Sequence, residues 1–364
     1  MNARQDRDNR VFDCVVVGAG VNGLAAARAV ARTGARTALL EQFGLQHAHG
    51  SSHGDSRSVR HYAAPNWMAL WREAESLWQE LEEETGAELL RRVGVLAHGN
   101  ELRAELDSLV NLGVPATPMD ADEAHARFGI QLPSTGDTYF DPTSGLVLAA
   151  RACEAFATSC RSHGVTIIEG AEVTSLQPSE KEVALPTTAH GTFTADVAIV
   201  TAGAWTRALL APVCIALPVY VSHETVAYFA IPEGAQSPPV VIDYSTVGSM
   251  TAFGIYALPS PSRGLKVAAH HSGVRSEDIP STREPDAAVV EALSRWVGER
   301  FPHFEATPTR TETCLYTVAP DEELLLFRDG RLVMGSACSG HAFKFAPATG
   351  RRLASLAMAV MSAV

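Results

Sequence analysis

FDCVVVGAGVNG, residues Phe12 to Gly23, decides how the rest of the chain is read. Its first half is a short valine-rich apolar run, the signature of a strand buried on both faces of a parallel sheet. Gly18, Gly20 and Gly23 follow at once, and the alanine-rich segment from Leu24 to Thr33 then reads as a helix that stops at Gly34. Arg36 to Leu40 reads as a second strand, and Glu41 stands at its end. In such a βαβ unit the first glycine allows the tight turn, the second lets the backbone approach a pyrophosphate, and the third lets helix and strand pack closely. The helix N-terminus adds N–H donors and a partial positive charge. Glu41 lies 18 positions beyond Gly23, where a carboxylate would bind ribose hydroxyls. An acid there disfavours a 2′-phosphate, so FAD or NAD is expected and NADP is not.

The chain has 364 residues, enough for one large or two medium domains, and 46% of them are hydrophobic. With 29 Lys and Arg against 41 Asp and Glu, the net charge is −12, which makes nucleic acid an unsuitable partner. No apolar run reaches the roughly 18 residues of a membrane span. Residues 1–10 are polar and lack the apolar segment of a secretory signal, so a cytoplasmic location is expected. The six cysteines form no CxxC pair; neither zinc nor a redox dithiol is expected, no metal site is assigned, and most should be buried free thiols.

Outward from the opening motif, Asn66 to Thr85 predicts an amphipathic helix with Trp67, Leu70, Trp71, Ala74, Leu77, Trp78 and Leu81 on one stripe. Asp107 to Phe128 reads as loops and short helices, Pro133 to Pro142 as turns, and Leu146 to Cys160 as a helix. Val165 to Ile168, Val173 to Leu176 and Ala195 to Thr201 read as strands. Between Leu217 and Val274 alternation dominates, in VYVSHETVAYFAI (219–231), SMTAFGIYALP (249–259) and GLKVAAHHSG (264–273), and predicts an antiparallel sheet. Asp286 to Arg300 reads as a helix, Arg331 to Met334 as a strand, and Gly350 to Val360 as a closing helix. The expected fold is α/β: a Rossmann-like nucleotide-binding domain made of residues 1–85, 145–215 and 310–364, interrupted by a second domain of residues 86–144 and 216–309 built on a mainly antiparallel sheet with helices.

Three further stretches carry unusual polar groups. GSSHGDSRSVRH (Gly50 to His61) holds Arg57 and Arg60 beside two histidines, and by composition alone it would be a polar surface loop. SGHAFKF (Ser339 to Phe345) places one lysine in an apolar setting, where a buried ammonium needs a partner. GLKV (Gly264 to Val267) places another inside a hydrophobic strand.

Taken together these residues resemble the monomeric sarcosine oxidase family, within the D-amino-acid-oxidase-like flavoproteins. GSSHGDSRSVRH is similar to the family's GSxHGDTRxxRH, CLYTVAPD (Cys314 to Asp321) to its CxYTxTxD, SGHAFKF to SGHGFKF, and GLKVAAHH to GLKxGxH; VTAGAW (200–205) matches the strand-turn beside the cofactor. The motifs occur in family order from residue 12 to about 350. The resemblance implies FAD bound through an 8α-S-cysteinyl link to Cys314, whose pKa a basic neighbour should lower. It further implies a carboxylate clamp of Arg60 and Lys344, and oxygen activation by the fixed charge of Lys266. His53, Ser56 and Arg57 would lie near the flavin ring, while Tyr256, His270 and Tyr316 would line the substrate cavity. Further cofactor contacts are implied for Ser51, Val173, Gly203, Trp205, Gly340, Phe343 and Lys344.

The implied reaction is oxidation of a small amino acid or amine bearing a carboxylate, with O2 as acceptor and hydrogen peroxide as product, by a monomer. The chain departs from the family pattern at Tyr62-Ala63-Ala64-Pro65, where Ala-Tyr-Gly-Glu is usual, at Ala342, and at Tyr256-Ala257-Leu258-Pro259, where Tyr-Gly-Phe-Pro is usual. These changes touch the cavity walls and keep the clamp, which points to a larger or cyclic secondary amino acid, proline- or pipecolate-like, or to a biosynthetic intermediate. A flavin dehydrogenase feeding a carrier, an NAD-dependent dehydrogenase and a non-catalytic FAD-binding subunit are the competing readings.

Overall fold

A computed structural model of the protein describes residues 10–246, 254–336 and 338–362. The chain opens with β1 (Val11–Val17), α1 (Val21–Ala31), β2 (Thr37–Glu41) and β3 (Ser56–Val59), then the long α2 (Pro65–Thr85). β4 (Leu90–Arg91), β5 (Val95–Gly99), α3 (Arg103–Asn111), β6 (Thr117–Pro118), α4 (Ala121–Phe128), β7 (Asp137–Asp141) and β8 (Gly145–Leu148) follow. Next come α5 (Ala149–Ser162), β9 (Thr166–Glu169), β10 (Gln177–Pro178), β11 (Val183–Thr187) and β12 (Gly191–Val200), and the short α6 (Thr206–Leu210). The last part holds β13 (Tyr220–Phe229), β14 (Val240–Asp243), β15 (Ile255–Ser260), β16 (Gly264–Ala269), β17 (Val274–Ser276), α7 (Ala287–Arg300), β18 (Arg310–Val318), β19 (Leu325–Asp329), β20 (Leu332–Ser336) and α8 (Ala346–Met361).

The first sheet has eight strands, ordered β10-β11-β12-β1-β2-β9, with β20 on the C-terminal half of β12 and β19 outside it. β9, β2, β1, β12 and β20 run parallel. The valines of β1 point to opposite faces and both are covered: Cys14 and Val16 pack with α1, α2, α5 and α8, Val15 and Val17 with β11 and the 200–219 region. Two-sided burial explains why β1 is continuously apolar. α1 and α8 approach closely at Gly350, where a Cβ would fall 2.6 Å from the backbone of Ala25.

The second sheet has nine strands, ordered β17-β13-β16-β15-β14-β5-β7-β6, with β18 also on β13. It is antiparallel except at β5–β14. Its far face packs on α4 and α7 through Phe128, Val289, Leu293, Trp296 and Val297. A third, three-stranded sheet, β3-β8-β4, joins the two. Among the described residues no helix is long and apolar enough to cross a membrane.

The structure corrects several local expectations. The Pro133–Pro142 stretch is not all turn, because residues 137–141 pair with β5 and β6. The helix expected from Leu146 begins at Ala149, since Gly145–Leu148 bonds to β3 and β4. The strand expected at Val173–Leu176 is reduced to one bridge, Val173 to Thr187. Arg310–Val318 pairs with β13 through nine residues, so this stretch belongs to the antiparallel sheet and not to the nucleotide-binding one. Residues 249–253 of the SMTAFGIYALP stretch lie outside the described residues; its remainder starts β15.

One polar knot fixes the polypeptide just past β3. The buried carboxylate of Asp141 accepts from His61 Nδ1 at 2.8 Å, from Ser144 Oγ, and from Thr143 N and Oγ1 at 2.9 and 2.7 Å. Burial opposes its ionisation, but those donors outweigh burial and hold its pKa below the ordinary carboxylate value. A depressed carboxylate pKa contributes stability above the unfolded-state value, lost as pH falls towards the folded one. Asp141→Asn is therefore expected to cost about 2–3 kcal/mol at neutral pH. In urea titrations the gap between the two proteins should close as pH is lowered below about 4.

Candidate active site

A cavity of about 700 Å³ runs from the C-terminal edge of the parallel sheet to the inner face of the antiparallel one. Its first end is the opening motif. Gly18 sits at φ +94°, and a Cβ there would fall 2.8 Å from Thr201 O. Gly20 is the N-cap of α1. Gly23 does not line the cavity; it seats α1 on the turn, since a Cβ would come within 1.9 Å of Gly18 O. The buried Glu41 takes Ala19 N at 2.7 Å on one carboxylate oxygen and Phe43 N at 2.9 Å on the other. Val173, Gly203 and Trp205 complete this end.

The middle of the cavity carries the cations. Arg57 is fixed by loop carbonyls, donating to Ser56 O, Ser51 O and His53 O at 2.8, 2.7 and 2.6 Å, and lies 5.4 Å from the Phe343 ring. Lys266, on β16, is only 7% exposed. Burial, helped by the nearby Arg57 cation, pushes its ammonium down to about 7. The expected fixed charge is thus one that titrates near neutrality. His53 is lowered to about 4 by burial and by Arg57 and Lys266.

Cys314 lines the same wall. The sequence reading expects its pKa to be lowered by a basic neighbour. Lys266 and Arg57 do pull it down, yet burial outweighs both and the thiol is pushed up to about 11. Desolvation penalises the thiolate more than two partly offset cations favour it.

The far end holds the carboxylate-binding candidates. Arg60 Nη1 donates to Tyr244 Oη at 2.9 Å, and Glu105 stands 3.9 Å behind it, itself bonded by Tyr139 Oη at 3.1 Å. Lys344 Nζ donates to Tyr62 Oη at 3.0 Å and to His341 O at 3.3 Å. Tyr256 and Tyr316 are hydrogen-bonded to each other, and burial raises both phenols. His270 lies between their rings, at 6.4 and 5.7 Å, and burial with the neighbouring histidines, Lys344 and Arg60 drives it down to about 2. Gly340 is packed against Tyr316 and His270 so closely that a Cβ would fall 2.3 and 2.7 Å from them.

Nearly all the residues singled out by the sequence therefore share one cavity. Among the residues assigned to catalysis or cofactor, Ser56 is the exception besides Gly23: its Oγ is fully buried and donates to Pro259 O at 2.8 Å, tying β3 to β15 instead of facing the cavity. Of the departures expected at the cavity walls, Ala63, Ala64, Pro65, Ala257 and Pro259 do not line it. Sequence reasoning missed Tyr244, Glu105 and Tyr139, which are brought to Arg60 from distant segments. Tyr62 was noted only as a departure touching the cavity walls, and its contact with Lys344 was not foreseen.

The chemistry of this lining fits FAD. The cradle at Gly18 and Gly20 needs residues without side chains, and a carboxylate stands at the end of β2. Beyond the cradle, Ser336 Oγ and His53 Nδ1 are buried, lie at the cavity and have no hydrogen-bond partner among the described residues, as donors and acceptors kept for a polar ligand would.

Comparison with known proteins points the same way. The profile of the "FAD dependent oxidoreductase" family matches residues 13–356. The "Peroxisomal sarcosine oxidase" of Homo sapiens is 32% identical, over 96% of this chain and 92% of the relative. The "Monomeric sarcosine oxidase" of Bacillus sp. (strain NS-129) is 28% identical, over 95% and 92%. Among solved structures, the open form of NikD, described as an unusual amino acid oxidase essential for nikkomycin biosynthesis, superposes with a TM-score of 0.87 at 25% identity, covering 96% of this chain and 94% of that one.

Proposed function

The chain belongs to the family of FAD-dependent oxidoreductases that contains the sarcosine oxidases, and from that premise we propose that it oxidises a carboxylate-bearing secondary amine, giving an imine and hydrogen peroxide. The observation that carries this reading is the placement of Arg60 and Lys344 at one end of a cavity whose other end is the glycine cradle, with Lys266 and Cys314 between them.

Bound FAD supplies the two-electron acceptor and the reaction with O2. The amides around Gly18 and Gly20, the α1 N-terminus and Glu41 would hold its pyrophosphate and ribose. Ser51, Arg57, Val173, Gly203, Trp205, Gly340, Phe343 and Lys344 would bound the rest, and Cys314 would carry it covalently. Arg60 offers a planar pair of donors and Lys344 a point charge, suited to one carboxylate. Tyr256, Tyr316 and the neutral His270 form the wall that orients the reacting C–H and excludes water. Lys266 would supply positive charge where O2 takes up electrons. The walls favour a cyclic or otherwise bulky secondary amino acid, of proline or pipecolate type, over sarcosine. A cytoplasmic monomer fits this role.

The clamp is tested by Arg60→Met. Losing a charge-assisted pair of hydrogen bonds should lower kcat/KM for a carboxylate substrate about 10- to 150-fold. The same amine without its carboxylate should be oxidised equally by both proteins; an equal loss on both amines would remove Arg60 from the clamp. Cys314→Ala should retain FAD but release it on denaturation, whereas flavin staying with the denatured variant would refute the thioether.

A further inference from the structure

Tyr62 stands between the two clamp cations, and its position suggests a part in the chemistry. Lys344 Nζ donates to its Oη at 3.0 Å, Arg60 Cζ lies 5.1 Å from its ring centroid, and Lys344 Nζ lies 5.6 Å from it. Trp67 and Phe345 pack the ring at 6.1 and 5.7 Å, so the phenol is held in place. Tyr62 also lines the cavity. A lysine ammonium has only donors, so the bond to Lys344 uses a lone pair of Tyr62 Oη. Burial opposes ionisation of the phenol, but the charges and hydrogen bonds of Lys344 and Arg60 outweigh it and lower its pKa below that of an ordinary tyrosine.

The groups facing this pair are few. Behind Arg60 stand Glu105, Tyr244 and Tyr139; beside Lys344 stands His341, whose imidazole is lowered to about 4 by burial and by Lys344, and His270 faces both cations.

Oxidation of a C–N bond to an imine needs the nitrogen lone pair, and a free amino acid in neutral water carries its amine as ammonium, since its amine is more basic than the α-amine of a peptide. One proton must therefore leave at the site. His270 and His341, at about 2 and about 4, are too weakly basic. Tyr256 and Tyr316 are raised, which disfavours their phenolates. Glu322 lines the cavity and burial raises its carboxyl, but it is engaged with His271 at 3.4 Å. Lys266, brought down to about 7, matches in basicity but stands in the middle of the cavity, whereas Tyr62 stands at the clamp itself, with its charged form stabilised by two cations.

Building on the oxidase reading, we propose that Tyr62 is the proton acceptor for the bound substrate. As a phenolate between Lys344 and Arg60 it takes one proton from the substrate ammonium: the N–H bond breaks, its electron pair stays on nitrogen, and an O–H bond forms on Tyr62. The proton passes to water when the product leaves, restoring the phenolate. The substrate carboxylate and the phenolate together balance the two clamp cations.

The test is Tyr62→Phe, which keeps the ring and its packing. The rate of anaerobic flavin reduction by one secondary amino acid is followed from mildly acidic to alkaline pH in both proteins. The variant depends on free amine from solution, so its rate should fall about tenfold per pH unit below the substrate's own pKa. The wild type should keep its rate to a lower pH, and the two should approach each other in alkali. Parallel profiles would overturn the role of Tyr62 while leaving the oxidase reading standing; failure of every amine to reduce the wild-type flavin would overturn both. The ultraviolet tyrosinate absorbance of wild type minus variant gives a substrate-free check. It should show one phenol titrating below the ordinary tyrosine value, and its absence would also overturn the role.

Discussion

Lys266→Met is expected to slow reoxidation of the reduced enzyme by O2 about 10²- to 10³-fold, the cost of removing one preorganised charge from a dry site. Reduction by substrate should change far less, because the proposed clamp at Arg60 and Lys344 is untouched. The effect depends on pH with a definite sign. Lys266 is pushed down to about 7, first by burial and then by Arg57. Its charge is present below that value and disappears above it, so wild-type reoxidation should fall as pH rises through about 7. The methionine variant should show no such step. Stopped-flow mixing of reduced enzyme with oxygenated buffer measures both, and a variant that reoxidises at the wild-type rate ends the role of Lys266. The substitution should not cost stability. Because the folded pKa lies below the unfolded one, burying the lysine opposes folding: the penalty is full below about pH 7 and is relieved as pH rises from there to the ordinary lysine value of about 10.4, the range in which the unfolded state binds more protons.

Gly23→Ala should have the largest effect on the fold. The added methyl would sit 1.9 Å from Gly18 O and 2.7 Å from Thr201 Oγ1. Gly18 O is backbone in the turn that holds the cradle, so relief requires moving α1 off β1, and with it the amides at the helix N-terminus that line the cavity. A loss of more than about 3 kcal/mol is expected, together with loss of FAD. Gly34→Ala is the control. Its φ is +91°, but nothing lies within 4 Å of the new Cβ, so only about 1 kcal/mol of backbone strain is expected. Thermal denaturation and flavin absorbance per chain report both. A Gly23→Ala protein that keeps its flavin and its Tm would show that the helix is not seated as described.

These two residues also show how unevenly the molecule can be read from its sequence. The β1-turn-α1 unit was legible because every signal in it is local: a valine run, three glycines at fixed spacing and an acid at the end of the next strand. The α2 stripe was legible for the same reason, and Trp71, Trp78 and Leu81 are fully buried while Trp67 reaches the aromatic wall beside Tyr62. Strand Asp137–Asp141 was not legible, because aspartates and neighbouring prolines give turn signals that its pairing with β5 and β6 overrides. The same holds for Arg310–Val318, whose partner β13 lies some 90 positions away along the chain.

Within the site, residue identities were legible and their electrostatics were not. Cys314 carries basic neighbours, as the sequence reading expected, whereas the Arg57 cation beside Lys266 was not foreseen. In each case burial decides the direction of the shift, and burial depends on how the sheets close over the cavity. Glu105 and Tyr139 come to Arg60 from α3 and β7, with no pattern in the sequence to announce them.

The central claim, an FAD oxidase acting on a carboxylate-bearing secondary amine, is tested most directly by one titration. Purified flavin-loaded protein is titrated without oxygen with N-methyl amino acids, L- and D-proline, pipecolate, sarcosine, primary amino acids and carboxylate-free amines, and air is then admitted. A cyclic or bulky secondary amino acid should bleach the flavin band, its carboxylate-free counterpart should do so far more slowly, and air should restore the band with one hydrogen peroxide formed per flavin, as two-electron chemistry requires. A flavin that no carboxylate-bearing amine reduces, or one that stays bleached in air until an artificial carrier is added, would contradict the claim.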